Sequence, residues 1–263
     1  MRVAVVFFGV ARGAAITAAS IKRCIYACNP GVNFHTIASL NLVDTITNPR
    51  TGELGAPLNA ADIFLLNADV YALARQDDAA IATAFAAARQ QRDYFENCWI
   101  SVRNHLHQLA SLRRAWRLAA DAPAGFDYFL FVRPDLRYLD EFCLADIIAR
   151  FHDGNNIALP SWHSFGGFND RFALAAPEAA RHYANRLDLV AEYCAQNPLH
   201  PESLLAYALE KAAAQLCQLP ARATRVRAHG ALSPDDFSVS VSPLPQTPRR
   251  FSIRDQEIQF CRE

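Results

Sequence analysis

The sequence predicts a single-domain α/β protein with a mostly parallel central sheet flanked by helices, and three observations predict it. Residues 3–8 and 128–132 are unbroken apolar runs rich in β-branched and aromatic side chains, the composition of strands covered on both faces. Around them, short apolar runs alternate with segments of helical periodicity, the order expected of an α/β chain. At 263 residues, 52% apolar and 20% charged, the chain is long enough for one substantial core and too apolar to be a disordered tail.

The elements follow in order. The first strand ends in Gly9-Val10-Ala11-Arg12-Gly13, and the helix after it runs to about Cys28, where Asn29-Pro30-Gly31 stops it. Residues 33–39 read as a second strand, 48–57 as a loop by their Pro and Gly, and 62–66 as a further short strand. Residues 78–120 carry a helical pattern, read as two helices with a break near 92–97. Gly125 resets the chain ahead of the second buried strand, which runs straight into Arg133-Pro134-Asp135. A helix over 143–151, strands over 157–160 and 172–175, and a helix from Pro177 to about Cys194 come next. Pro201 sits where a first-turn proline is tolerated and opens a helix through about Cys217; residues 224–228 close as a strand. Residues 1–232 make the domain, and 233–263, rich in Pro, Ser and Arg, are expected to wrap its surface.

Basic and acidic side chains balance at 26 each, so no uniform basic field announces a nucleic-acid partner. The opening apolar run is shorter than the roughly 20 residues that span a bilayer, and it lacks the cleavage pattern of a signal peptide. No later segment reads as transmembrane. The seven cysteines are odd in number and scattered, which fits reduced thiols. Cys24 and Cys28 share a helix face without His or carboxylate neighbours, the pattern of packing and not of a metal site. The expectation is a cytoplasmic protein, with peripheral attachment at the inner membrane face left open.

Four segments can carry chemistry. A strand of an open α/β sheet delivers its C-terminal residues to the ligand crevice, so Asp135 is placed to ligate a divalent cation and Arg133 to orient it or meet phosphate; the alternative is a strand-end salt bridge capping a turn. Residues 161–172 concentrate Trp162, His163, Phe165, Gly166, Gly167, Asn169 and Asp170, suited to gripping a sugar. His200-Pro201-Glu202 opens a helix, where an acid also complements the helix dipole. Arg225-Val226-Arg227-Ala228-His229-Gly230 ends a strand, and an imidazole there can complete a metal shell.

The order of these segments resembles GT-A glycosyltransferases (a Rossmann-like fold), particularly bacterial and large-virus transferases of surface glycans. The resemblance is carried by Gly9 to Arg12, Gln108 to Arg114, Arg133-Pro134-Asp135-Leu136, Gly166 to Ala173, His200 to Leu205 and Arg225 to Gly230, and it covers residues 1 to about 230. It implies transfer of a sugar from a nucleotide-sugar donor to a glycan or glycolipid acceptor in surface polysaccharide or lipopolysaccharide synthesis. Arg133-Pro134-Asp135 occupies the place of the family's Asp-x-Asp metal motif, with Asp135 as the retained acid. A divalent cation, Mn²⁺ or Mg²⁺, is then expected on Asp135 and His229. Gly9, Arg12, Arg113, Arg114 and Arg133 are expected at the nucleotide; Trp162, His163, Gly166, Gly167, Asn169 and His200 at the substrate. Asp170 and Glu202 are the two candidates for the base. On this reading Asp135→Asn abolishes turnover with little loss of stability. A nucleotidyltransferase is the rival enzyme, disfavoured because the loop after the first strand has no lysine until Lys22. A catalytically silent glycan-binding module on the same fold is the other rival.

Overall fold

In strand β1 (Arg2–Gly9) Ala4, Val6 and Phe8 point into one buried cluster and Val3, Val5 and Phe7 into another, so a single strand feeds both faces of the sheet. Each of the larger side chains contributes about 1.5–3 kcal/mol by leaving water. A computed structural model describes residues 1–122, 125–235, 237, 251–254 and 257–260.

After β1, helix α1 (Ala14–Ile21) continues through a wider π-helical stretch, Lys22–Ala27. Strand β2 (Asn33–Leu42) lies parallel to β1. The expected loop over 48–57 is a small antiparallel hairpin, β3 (Thr45–Asn48) and β4 (Glu53–Pro57). The expected strand over 62–66 is instead part of a 3₁₀ stretch, Ala60–Leu66. The Asn59 side chain caps it, accepting from the Ala61 N–H at 3.1 Å, and Ile63 and Leu66, three apart, take the buried side. The parallel strand on this side is β5 (Val70–Arg75), which the sequence reading missed.

Helices α2 (Ala82–Ala88) and α3 (Ile100–Ala120) leave a break between them, as expected. Strand β6 (Tyr128–Val132) runs parallel to β1, and the short β7 (Leu136–Tyr138) follows Asp135. Then come α4 (Leu144–Ile148), β8 (Asn156–Pro160), β9 (Phe172–Ala175), α5 (Pro177–Ala184), α6 (Val190–Cys194) and α7 (Pro201–Lys211). The last helix stops six residues before Cys217: Ala213 turns left-handed (φ 50°) and β10 (Gln215–Leu219) joins the sheet parallel to β8. A free sheet edge outcompeted helical periodicity there. Strand β11 (Ala223–Arg225) pairs antiparallel with β7.

The sheet order is β10-β8-β9-β6-β1-β2-β5, parallel except where β9 runs against both its neighbours. Helix α3 packs over β1 and β2, and α5 and α7 share its face; α1 and α4 cover the other. In the expected extension over 233–263, β12 (Phe251–Arg254) and β13 (Glu257–Phe260) pair antiparallel. Its course over the surface falls on residues outside those described. Among the described residues no helix is long and apolar enough to cross a membrane.

Candidate active site

A cleft of about 580 Å³ opens over the carboxyl ends of β1, β2 and β6, and its lining includes Gly9, Asn41, Arg133 and Asp135 from those ends. This is where ligands bind in open α/β sheets, and the volume suits a small molecule. Helix α3 forms one wall with His105 and Gln108, and Ser111 ties it to the sheet: the Gly9 N–H donates to its Oγ (2.8 Å), which donates to the Ser39 carbonyl (2.5 Å).

The floor is a buried carboxylate locked among arginines. As β6 ends, the Thr17 hydroxyl of α1 donates to the Pro134 carbonyl (2.6 Å), and the Val226 N–H donates to the Asp135 carbonyl (2.8 Å). The β7–β11 register places Arg225 opposite Leu136, beside Asp135. Arg133 folds back to donate from Nε and Nη2 to the two Asp135 oxygens at 3.0 Å each, Arg12 donates from Nη2 to Oδ2 at 2.5 Å, and Arg225 Nε stands 3.9 Å from Oδ2. Burial alone would raise the Asp135 pKa, but Arg133, Arg12 and Arg225 together hold it far below the carboxylate range. Arg12 is shared with a second buried acid, Glu53 of β4, which also accepts from the Ala228 N–H and the Thr51 hydroxyl. Seven of the lining side chains are arginines against four acids, so the cleft is cationic.

A second cluster lies deeper along the wall. Asp170 is buried, with Arg186 Nη2 3.9 Å from its carboxylate, and the charges of Arg133 and Arg186 offset its burial and keep it ionised. Glu202, on the first turn of α7, is pushed the other way, to about 8, by burial and by the charge on Asp170. Its Oε2 is 3.2 Å from His200 Nε2. Burial lowers His200 to about 4, so at neutral pH this contact joins two uncharged groups, the carboxyl donating to the imidazole. His105, brought in by α3, is neutral as well, lowered to about 3 by burial, and its Nε2 has no hydrogen-bond partner.

No family model matches this chain, and no curated protein does. Among solved structures it is similar to mouse xyloside xylosyltransferase 1 in its apo form, at 11% identity and a TM-score of 0.36, over 83% of this chain and 84% of that one. A likeness this distant carries no argument.

The structure gathers Gly9, Arg12, Arg133, Asp135, His163, Asp170 and Glu202 in the cleft lining. Other expected site residues lie elsewhere. Arg113 pairs with Asp188, and Arg114 donates to the Asn41 side chain at 2.8 Å; neither lines the cleft. Trp162 is a core residue, 2% exposed, donating to the Ala221 carbonyl at 2.9 Å; the Arg171 guanidinium lies 4.8 Å from its ring. Asn169 pins its own loop, donating to the Trp162 carbonyl (2.5 Å) and accepting from the Arg171 N–H (3.0 Å). Gly166 takes φ 78°, and Gly167 packs on the α7 backbone; they shape the loop without lining the cleft. His200 supports Glu202 and binds Ser203 Oγ at 2.9 Å.

The expected cation site does not fit the donors present. Both Asp135 oxygens are occupied by guanidinium groups, and His229 is exposed and outside the cleft lining. Among the described residues no group of three His, Cys, Asp or Glu side chains is arranged to hold a metal. The sequence reading missed Glu53 and His105. Glu53 sits in a stretch whose Pro and Gly content suggested only a loop, whereas His105 carried a usable signal, an imidazole three residues before Gln108 on a helix.

Proposed function

We propose that this chain is a glycosyltransferase, moving a sugar from a nucleoside-diphosphate sugar to a hydroxyl of a glycan or glycolipid acceptor. The observation that supports it best is the joining of two chemistries in one cleft, an arginine-rich floor for a diphosphate and a carboxyl poised near neutral pH beside it. Sugar transfer needs both: charge compensation for the departing nucleoside diphosphate and a base for the incoming hydroxyl. In the reaction the acceptor oxygen bonds to the anomeric carbon while the bond from that carbon to the diphosphate oxygen breaks. The electron pair leaves with the diphosphate, toward Arg225, Arg227 and Arg133, and the hydroxyl proton passes to the base. His163 and Phe165, whose rings are 5.1 Å apart on the rim, offer a face for a sugar.

Of the two acids, Glu202 is the better base. A general base works best with a pKa near the operating pH, and Asp170, held ionised by its cations, is too weak. Asp170 instead raises the basicity of Glu202. On this assignment kcat climbs with pH and levels off above about 8, and Glu202→Gln removes the climb along with most of the activity. A profile flat through this range would shift the role to Asp170.

Stability carries a matching signature. The folded chain keeps a proton on Glu202 that the unfolded chain releases above its ordinary pKa of about 4.3. The contribution is therefore fully present below that pH and is lost as pH rises to about 8. Glu202→Gln is expected to flatten the fall, raising the unfolding midpoint at the alkaline end relative to the parent protein.

Turnover is tested by incubating the protein with a panel of nucleotide sugars, with and without Mn²⁺, and measuring released nucleoside diphosphate. Release from one donor, together with a thermal shift from its nucleoside diphosphate, is the expected result. A thermal shift with no release from any donor would instead support a catalytically silent binding module, a reading that the pairing of Asp135 with arginines also favours. Neither shift nor release would remove the proposal.

A further inference from the structure

We infer that the cleft holds its diphosphate with guanidinium groups alone, Arg225 and Arg227 making the principal contacts, and that no divalent cation takes part. The inference rests on the nucleotide-sugar reading of the same cleft and departs from the cation expected at Asp135.

Four guanidinium nitrogens, Arg12 Nε, Arg171 Nη1, Arg225 Nε and Arg227 Nη1, are buried without a hydrogen-bond partner, and all four residues line the cleft. Buried N–H groups are rarely left unpaired, and charged ones least of all. Arg12 and Arg171 are only 4% and 8% exposed, so bulk water does not serve them. The available carboxylates are already divided: Asp135 among Arg133, Arg12 and Arg225, Glu53 between Arg12 and Arg227, and Asp235 on Arg171. With Arg186 and the ionised Asp170 included, six guanidinium groups face four carboxylates, an excess of two positive charges, of the sign and size that a diphosphate corrects.

Arg225 feels this most. Burial, then the charges of Arg133 and Arg171, disfavour its protonated form, yet a guanidinium keeps its proton at any physiological pH. An anion placed among these guanidinium groups relieves that strain. Arg225 and Arg227 are two apart across the end of β11, so they project on one side. A planar guanidinium also matches phosphate oxygens in a two-pronged way that a single ammonium does not. A cation, by contrast, finds both Asp135 oxygens taken by guanidinium groups, and among the described residues no group of three His, Cys, Asp or Glu side chains to hold it.

The experiment is calorimetric titration of the whole chain with inorganic pyrophosphate and with the four common nucleoside diphosphates, in excess EDTA and again with Mn²⁺. The expected result is binding of at least one probe with an affinity that EDTA leaves unchanged. Arg225→Gln is expected to weaken it by about ten- to a hundred-fold, the worth of one charge-assisted hydrogen bond. Its unliganded unfolding midpoint should stay equal to or rise above the parent value, because a repelled charge has gone. Arg227→Gln carries the same test should Arg225→Gln fail to fold. Binding only with Mn²⁺, or affinity untouched by both substitutions, overturns the inference. The two readings fail separately. Sugar transfer that demands Mn²⁺ keeps the transferase and removes the metal-free cradle. Pyrophosphate bound in EDTA, with no nucleotide sugar turned over, keeps the cradle and removes the transferase.

Discussion

Asp135→Asn should destabilise the folded protein by about 3–5 kcal/mol, the cost of removing one partner from a buried ion cluster. Asp135 is 3% exposed and takes Arg133 and Arg12 at hydrogen-bond distance, with Arg225 at 3.9 Å. An amide keeps the shape but supplies no charge, and one of its two ends donates where an arginine already donates. Three guanidinium groups are then left around a neutral residue. Denaturant unfolding measures this directly. A second substitution supplies the control: in Asp135→Asn with Arg225→Gln, part of the loss should return, because charge is again balanced, and the two effects should be non-additive, as for residues in contact. The sequence alone led to the opposite expectation, an inactive but stable Asp135→Asn protein, since it cast Asp135 as a free metal ligand. Wild-type stability in Asp135→Asn would restore that reading.

Gly167→Ala should also destabilise the protein, for a steric reason. A β-carbon at this position would lie 2.1 Å from both the carbonyl carbon and oxygen of Glu202 and 2.5 Å from the Ser203 nitrogen. These are backbone atoms of the first turn of α7, so no side chain can swing aside. The Phe168 N–H donates to the same Glu202 carbonyl at 3.0 Å, which holds the loop against the helix. Either the loop or the helix start must move, at a cost of at least about 1–3 kcal/mol by analogy with overpacked cores. Because the displaced residue is Glu202, kcat should fall more than stability alone explains, while nucleoside diphosphate binding at Arg225 and Arg227 should persist. Thermal unfolding, a kcat measurement and a titration with the nucleoside diphosphate check the three parts. An Ala variant with parental unfolding and kcat would mean that α7 yields freely at its N-terminus.

Both predictions turn on contacts between segments far apart in the chain, and this marks what was legible beforehand. Strands β1 and β6, helix α3 and the alternation of strands with helices could be read from the sequence, because a strand buried on both faces must be apolar at every position and an amphipathic helix must repeat near 3.6 residues. The end of α7 and strand β10 could not. The helical pattern runs on past Lys211, and the local signal lost to a sheet edge that exists only after β8 is in place. Arg133, Asp135, Asp170 and Glu202 were recognisable as candidates because the first two follow a buried strand, Asp170 lies in a loop dense in Gly, Asn and aromatic residues, and Glu202 opens a helix. Their roles were not. Whether Asp135 meets a cation or three arginines depends on β11 pairing with β7 across more than eighty residues, and on Glu53 drawing Arg12 into the same buried space. The sequence by itself determined the α/β class and singled out Arg133, Asp135, Asp170 and Glu202 among the residues that line the cleft. Tertiary structure alone decided their charge balance and protonation, because desolvation and through-space charge depend on what folding places within a few ångströms and not on neighbours in the chain.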